Sequence, residues 1–245
     1  MRRPFAATIR ALIVLTTLIG VGACGSRSQV RTGSPPVQAE TQTTVPSTDV
    51  HPRVLIYGDS LAVQTKTAVR YLYPHQDVVF RAVNGAKMCD LAPGSAEDRR
   101  SIKPTRVVLA FTGNTWGCAV PSGVLVGTLT QIVANYERNL RLFAHNFQGI
   151  PITVIGPPAM KTPGMEGIFP YNGSPGLIAM YQRVSADLGL HFSSLASDSL
   201  TPGHVYTAYR PARGTTAPLV RVRDRDGIHL AAAGEVYYAI ALMTP

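Results

Sequence analysis

The first apolar run of the chain, Val54-Leu55-Ile56-Tyr57, has no polar interruption and stops at Gly58. Such a run predicts a strand covered on both faces. Leu61, Thr65, Ala68 and Leu72 then recur at helical spacing until Pro74, which ends the helix. A second strand is expected over 78–83, leading into the turn dipeptide Asn84-Gly85, and a short polar helix over 97–102. The third strand, 107–111, gives way to Thr112-Gly113-Asn114. After it Leu129, Ile132, Val133, Tyr136, Leu140, Phe143 and Phe147 mark one face of a long amphipathic helix. Positions 152–155 supply a fourth strand, 177–188 another helix and 191–192 a short fifth strand. A last helical pattern runs through Ala233, Tyr237, Ile240 and Ala241. Two stretches lack a period. Residues 157–175 form a Gly/Pro-rich loop long enough to shape a cleft, and 193–225 reads as irregular. Strands alternating with helices imply a parallel sheet with helices on both faces.

The N-terminus follows different rules. Arg2 and Arg3 precede an apolar segment of about eleven residues that closes on Gly22-Ala23-Cys24. That is too short for a permanent transmembrane helix and fits a secretory signal over 1–23. The ending Val21-Gly22-Ala23-Cys24 resembles a bacterial lipobox, which implies lipidation of Cys24. Residues 24–52 are rich in Ser, Thr, Gln, Gly and Pro, so they read as a flexible tether, and the folded domain is expected over 53–245. The mature protein is thus expected at the cell membrane, lipid-anchored and facing the envelope, with simple secretion as the alternative.

Composition narrows the class. The chain of 245 residues is 45% apolar and 15% charged, a globular balance. Its net charge is +9, of which Arg2, Arg3 and Arg10 of the leader supply three, leaving +6. No basic cluster interleaved with aromatic residues marks a nucleic-acid face, so headgroups or acidic envelope polymers fit the excess at least as well. With Cys24 set aside, Cys89 and Cys118 are an even pair for which a disulfide is the expectation in an exported protein; two buried thiols are the alternative. No phosphate loop, dinucleotide fingerprint or metal-ligand spacing appears, so neither a cofactor nor a metal is expected. His51, His75, His145, His191 and His204 are scattered singly.

Ser60 sits on the first strand-to-helix turn, the carboxyl edge of a parallel sheet, where ligands collect. A helix N-terminus there favours an oxyanion beside the serine, which makes Ser60 a candidate nucleophile. Ser is also a favoured helix N-cap, so the same residue has an ordinary structural reading. His229, three residues after Asp226, supplies a candidate base and a group to orient it.

Together these stretches resemble the SGNH/GDSL hydrolase family over the whole domain. Gly58-Asp59-Ser60-Leu61 resembles the first family block, Gly85 the second, Asn114 the third and Asp226-Gly227-Ile228-His229-Leu230 the last. The resemblance implies a three-layer α/β/α, flavodoxin-like fold around a mostly parallel five-stranded sheet, and a Ser60–His229–Asp226 triad. It also implies an oxyanion hole made of the Ser60 and Gly85 backbone N–H groups and the Asn114 side chain. The third block departs from the family, since Thr115 follows Asn114 where Asp is usual. Cys89 and Cys118 each stand four residues past an oxyanion-hole residue, so a bridge between them would fasten the two loops together. Trp116, in the second of these loops, is a candidate for lining an acyl or sugar site.

The expected activity is that of a serine esterase acting on an acyl ester of an envelope glycan or lipid, as a monomer. An acyltransferase with the same acyl-enzyme, and a catalytically silent envelope-binding domain, are the alternatives.

Overall fold

Each apolar run forms a strand of one sheet. In the computed structural model, which describes residues 52–120, 122, 124, 127–161, 171–214 and 218–245, five strands pair in the order β2-β1-β3-β4-β5. They are β1 (Arg53–Gly58), β2 (Asp77–Ala82), β3 (Arg106–Ala110), β4 (Ile152–Ile155) and β5 (His191–Ser193). Every pairing is parallel, and Gly58 of β1 lies in register with Ala110 of β3. The chain leaves β1 toward β2 on one side and returns to β3 on the other. A switch of this kind opens a crevice at the carboxyl ends of the two strands.

Side chains alternate across the sheet, so one strand feeds two cores. Leu55, Tyr57, Val107 and Leu109 pack with α4 (Leu129–Asn146) and α5 (Pro175–Leu188) through Tyr136, Leu140, Phe143 and Tyr181. The smaller α2 (Met88–Leu91) and α3 (Ser95–Ile102) contribute Met88 and Ile102 to that side. Val54, Ile56, Val108 and Ala110 pack instead with α1 (Ser60–Leu72), α6 (Leu195–Leu200) and α7 (Ala232–Met243) through Leu61, Leu200, Tyr238 and Leu242. The result is the three-layer α/β/α architecture expected from the sequence. Local chemistry starts the long helices where the pattern places them. Thr128 and Gln131 form a reciprocal capping box at α4, and Ser174 caps α5 ahead of Pro175.

The stretch from 193 to 225 departs from the expectation of irregular chain. It contains α6 and an antiparallel hairpin of β6 (Tyr209–Pro211) and β7 (Leu219–Arg221). With three residues per strand and six in the helix, none of these elements is long enough to display a hydrophobic period. The four-residue α2 escaped notice for the same reason.

Cys89 and Cys118 are joined by a disulfide that ties the segment after β2 to the segment after β3. By the chain-entropy model a loop of that length contributes roughly 3–4 kcal/mol. The leader over 1–23, Cys24, the tether up to residue 51 and positions 162–170 of the Gly/Pro-rich loop lie outside the described residues. No helix among the described residues is long and apolar enough to cross a membrane.

Candidate active site

The turn from β1 into α1 is built so that Ser60 is presented rather than consumed. Gly58 must be glycine, because a Cβ there would meet the Ala62 side chain at 2.6 Å and the Ala110 carbonyl at 2.7 Å. Asp59 is the N-cap of α1 and accepts from the Leu61 N–H at 3.2 Å. The capping task therefore falls to Asp59 and not to Ser60, which removes the ordinary reading of the serine. Ser60 occupies the first helical position, where a backbone N–H has no partner within the helix. Asp59 also accepts from the Thr112 N–H at 2.7 Å and the Thr112 hydroxyl at 2.6 Å, clamping the turn to the end of β3. Burial pushes its carboxyl up, against the pull of those same hydrogen bonds.

The loop before α7 holds the second half of the site. Asp226 Oδ1 accepts from the backbone N–H groups of Ile228 at 3.0 Å and His229 at 2.9 Å, and its Oδ2 pairs with His229 Nδ1 at 2.5 Å. Burial acts to raise the Asp226 carboxyl. The hydrogen bonds from His229 and Ile228 outweigh it and hold the group below the usual carboxylate range. An ionised partner at Nδ1 fixes the tautomer and leaves Nε2 as the acceptor. Gly227 has φ +71°, and a Cβ at this position would come within 1.8 Å of the Lys161 carbonyl oxygen, so the turn tolerates no side chain.

Ser60, Gly85, Asn114 and His229 all line one cavity of about 530 Å³. Trp116 lies in its wall as well, together with Gln64, Asn84 and Asn172. The structure thus brings every candidate of the triad and oxyanion hole to the carboxyl edge of the sheet, with Asp226 behind His229. Asn114 is 5% exposed and donates through Nδ2 to the Ala86 carbonyl at 3.0 Å. The Tyr136 hydroxyl holds the Asn114 backbone carbonyl at 3.0 Å.

Several residues that organise the site carry no signal in the sequence. Arg223 is fully buried and donates to the Ile228 carbonyl at 2.8 Å and the Ala159 carbonyl at 2.9 Å, so it fastens the histidine loop to the chain following β4. Burial pulls its guanidinium down to about 10. Gln64, one turn beyond Ser60 on α1, accepts from the Leu230 N–H at 3.2 Å and sets the histidine loop against the nucleophile helix. Asn172, at the described end of the Gly/Pro-rich loop, donates to Asn114 Oδ1 at 3.1 Å. An arginine among prolines and charges reads as solvated, and an asparagine in such a loop reads as a turn residue; backbone carbonyl partners leave no mark in a sequence.

No family model matches the chain, and no curated protein matches it in sequence. Solved structures do. A lipase/acylhydrolase from Enterococcus faecalis superposes with a TM-score of 0.56 at 17% identity, over 78% of this chain and 93% of that one. A GDSL-like lipase from Bacteroides thetaiotaomicron gives 0.52 at 15% identity over 79% and 86%. A variant of an acetyl xylan esterase from Geobacillus stearothermophilus gives 0.51 at 15% identity over 78% and 92%. With its parallel sheet order and two helical layers, the chain has the three-layer α/β/α fold of the SGNH/GDSL hydrolases.

Proposed function

We propose that the chain is a serine ester hydrolase working through an acyl-Ser60 intermediate. The observation that carries this is the Asp226–His229 pair set beside a cavity that also holds Ser60, Gly85 and Asn114. In the first half-reaction Ser60 Oγ attacks the ester carbonyl while His229 Nε2 takes the hydroxyl proton. Asp226 holds the resulting imidazolium. Negative charge on the carbonyl oxygen is met by the Ser60 and Gly85 backbone N–H groups and by Asn114 Nδ2. His229 returns the proton to the departing alcohol. In the second half it activates water, and the acid leaves Ser60 free.

The cavity wall supports an acyl ester of a hydroxyl-rich molecule, an envelope glycan or glycolipid. The amides of Gln64 and Asn84 pair with hydroxyl groups, and the Trp116 ring offers a flat apolar surface. An acyltransferase shares the acyl-enzyme and differs in the acceptor that replaces water. In this proposal the mature chain begins at a lipidated Cys24 and acts as a monomer beside the membrane, without a cofactor. Replacing Cys24 by Ser is expected to move the protein from the membrane fraction to the soluble fraction of exported material, and retention in the membrane fraction would contradict the anchor.

Three measurements on an activated ester test the chemistry. Ser60→Ala should stay folded and lose roughly 10⁴-fold or more in kcat. Retained turnover ends the proposal. Asp226, with its lowered carboxyl, stays ionised beside His229 Nδ1. Asp226→Asn should therefore lower kcat by about 10⁴-fold, and wild-type kcat in that variant would count against the pair. Gly227→Ala, which forces the turn off Lys161, should cost on the order of 100-fold in kcat through misplacement of His229, measurable against a melting curve for the same sample.

A further inference from the structure

The Asn114 side chain is an oxyanion donor in only one of its two amide orientations. As placed, Nδ2 donates to the Ala86 carbonyl and Oδ1 accepts from Asn172 Nδ2 at 3.1 Å. Turned by half a revolution, Oδ1 would face the Ala86 oxygen and the two NH2 groups would face each other. An Nδ2 has two hydrogens, so with one on Ala86 the second remains for a ligand oxygen in the cavity. Asn172 is 8% exposed and shares the cavity wall with Asn114, so water does little to offset a wrong orientation.

The chain around Asn172 is held through its neighbours. The Gly173 N–H donates to the Thr112 carbonyl at 2.7 Å, His204 Nε2 donates to the Gly173 carbonyl at 2.7 Å, and the Ser174 N–H donates to the Tyr171 carbonyl at 2.9 Å. The Asn172 Oδ1 is buried with no hydrogen-bond partner among the described residues. A leucine of similar size would bury no such oxygen but would leave Asn114 Oδ1 without its donor, so what the amide supplies here is its bond to Asn114. We infer that Asn172 is a positioning residue, whose amide holds the Asn114 side chain with Nδ2 turned to the cavity. This rests on the oxyanion-hole role proposed above for Asn114.

The test is a double-mutant cycle with 4-nitrophenyl acetate as the probe, kcat and KM being measured beside a melting curve. Asn114→Ala is expected to lower kcat by about 100-fold. Asn172→Leu should lower kcat and kcat/KM together by about tenfold in a sample whose melting curve shows it folded at the assay temperature. In the Asn114→Ala background Asn172→Leu should have no further effect, since the group it orients is gone. Multiplying effects, or wild-type kcat in Asn172→Leu, would overturn the inference. Wild-type kcat in Asn114→Ala would overturn it together with the oxyanion role, while loss of activity in Ser60→Ala would still stand for the nucleophile. Should Asn172→Leu not fold, Asn172→Asp keeps the size and sets an oxygen against Asn114 Oδ1. At neutral pH it should lose at least as much kcat, and wild-type kcat there would equally overturn the inference.

Discussion

The carboxylate of Asp59 is the tie on which the site depends. It is fully buried, and it accepts from Leu61 on its own turn and from both the backbone and the hydroxyl of Thr112 at the end of β3. A carboxylate removed from water persists only when its lone pairs are met, so the three donors and the burial require one another. One consequence is geometric. The turn carrying Ser60 and the loop carrying Asn114 are held to a common point, two residues from Asn114 and one from Ser60. Their separation is set by hydrogen bonds, with little left to loop motion.

The histidine half is secured by different means. Asp226 folds its own turn through two backbone N–H groups, Gly227 lets that turn press against Lys161, and Arg223 binds the carbonyl just before His229. The buried guanidinium is costly to desolvate and leaves Nε without a partner among the described residues, so its two carbonyl bonds fix position at a cost in stability. Gln64 then links this loop to α1, so the two halves meet through a residue one helical turn from the nucleophile.

Much of this was legible in the sequence. Continuous apolar runs placed β1, β3 and β4, which are buried on both faces, β-branched residues placed the less buried β2, and the long helices followed from their spacing. Gly58-Asp59-Ser60-Leu61 and Asp226-Gly227-Ile228-His229, each an ordinary turn by itself, were legible because together they resemble the first and last SGNH/GDSL blocks in order. What was missed acts at a distance. Arg223 reaches Ala159 across 64 positions, and Asn172 reaches Asn114 across 58, through contacts that no local spacing encodes. Asp59 was read as part of a motif, yet its capping role decides what Ser60 is free to do. The hairpin of β6 and β7 stayed hidden because three-residue strands have no period.

The bridge between Cys89 and Cys118 joins the segments that follow Gly85 and Asn114. In a reducing compartment the same chain holds two thiols there, and the loops on either side of the oxyanion cavity lose their covalent tie. The tie between the cavity walls is thus conditional on oxidising surroundings, whereas the sheet beneath them is set by the sequence alone.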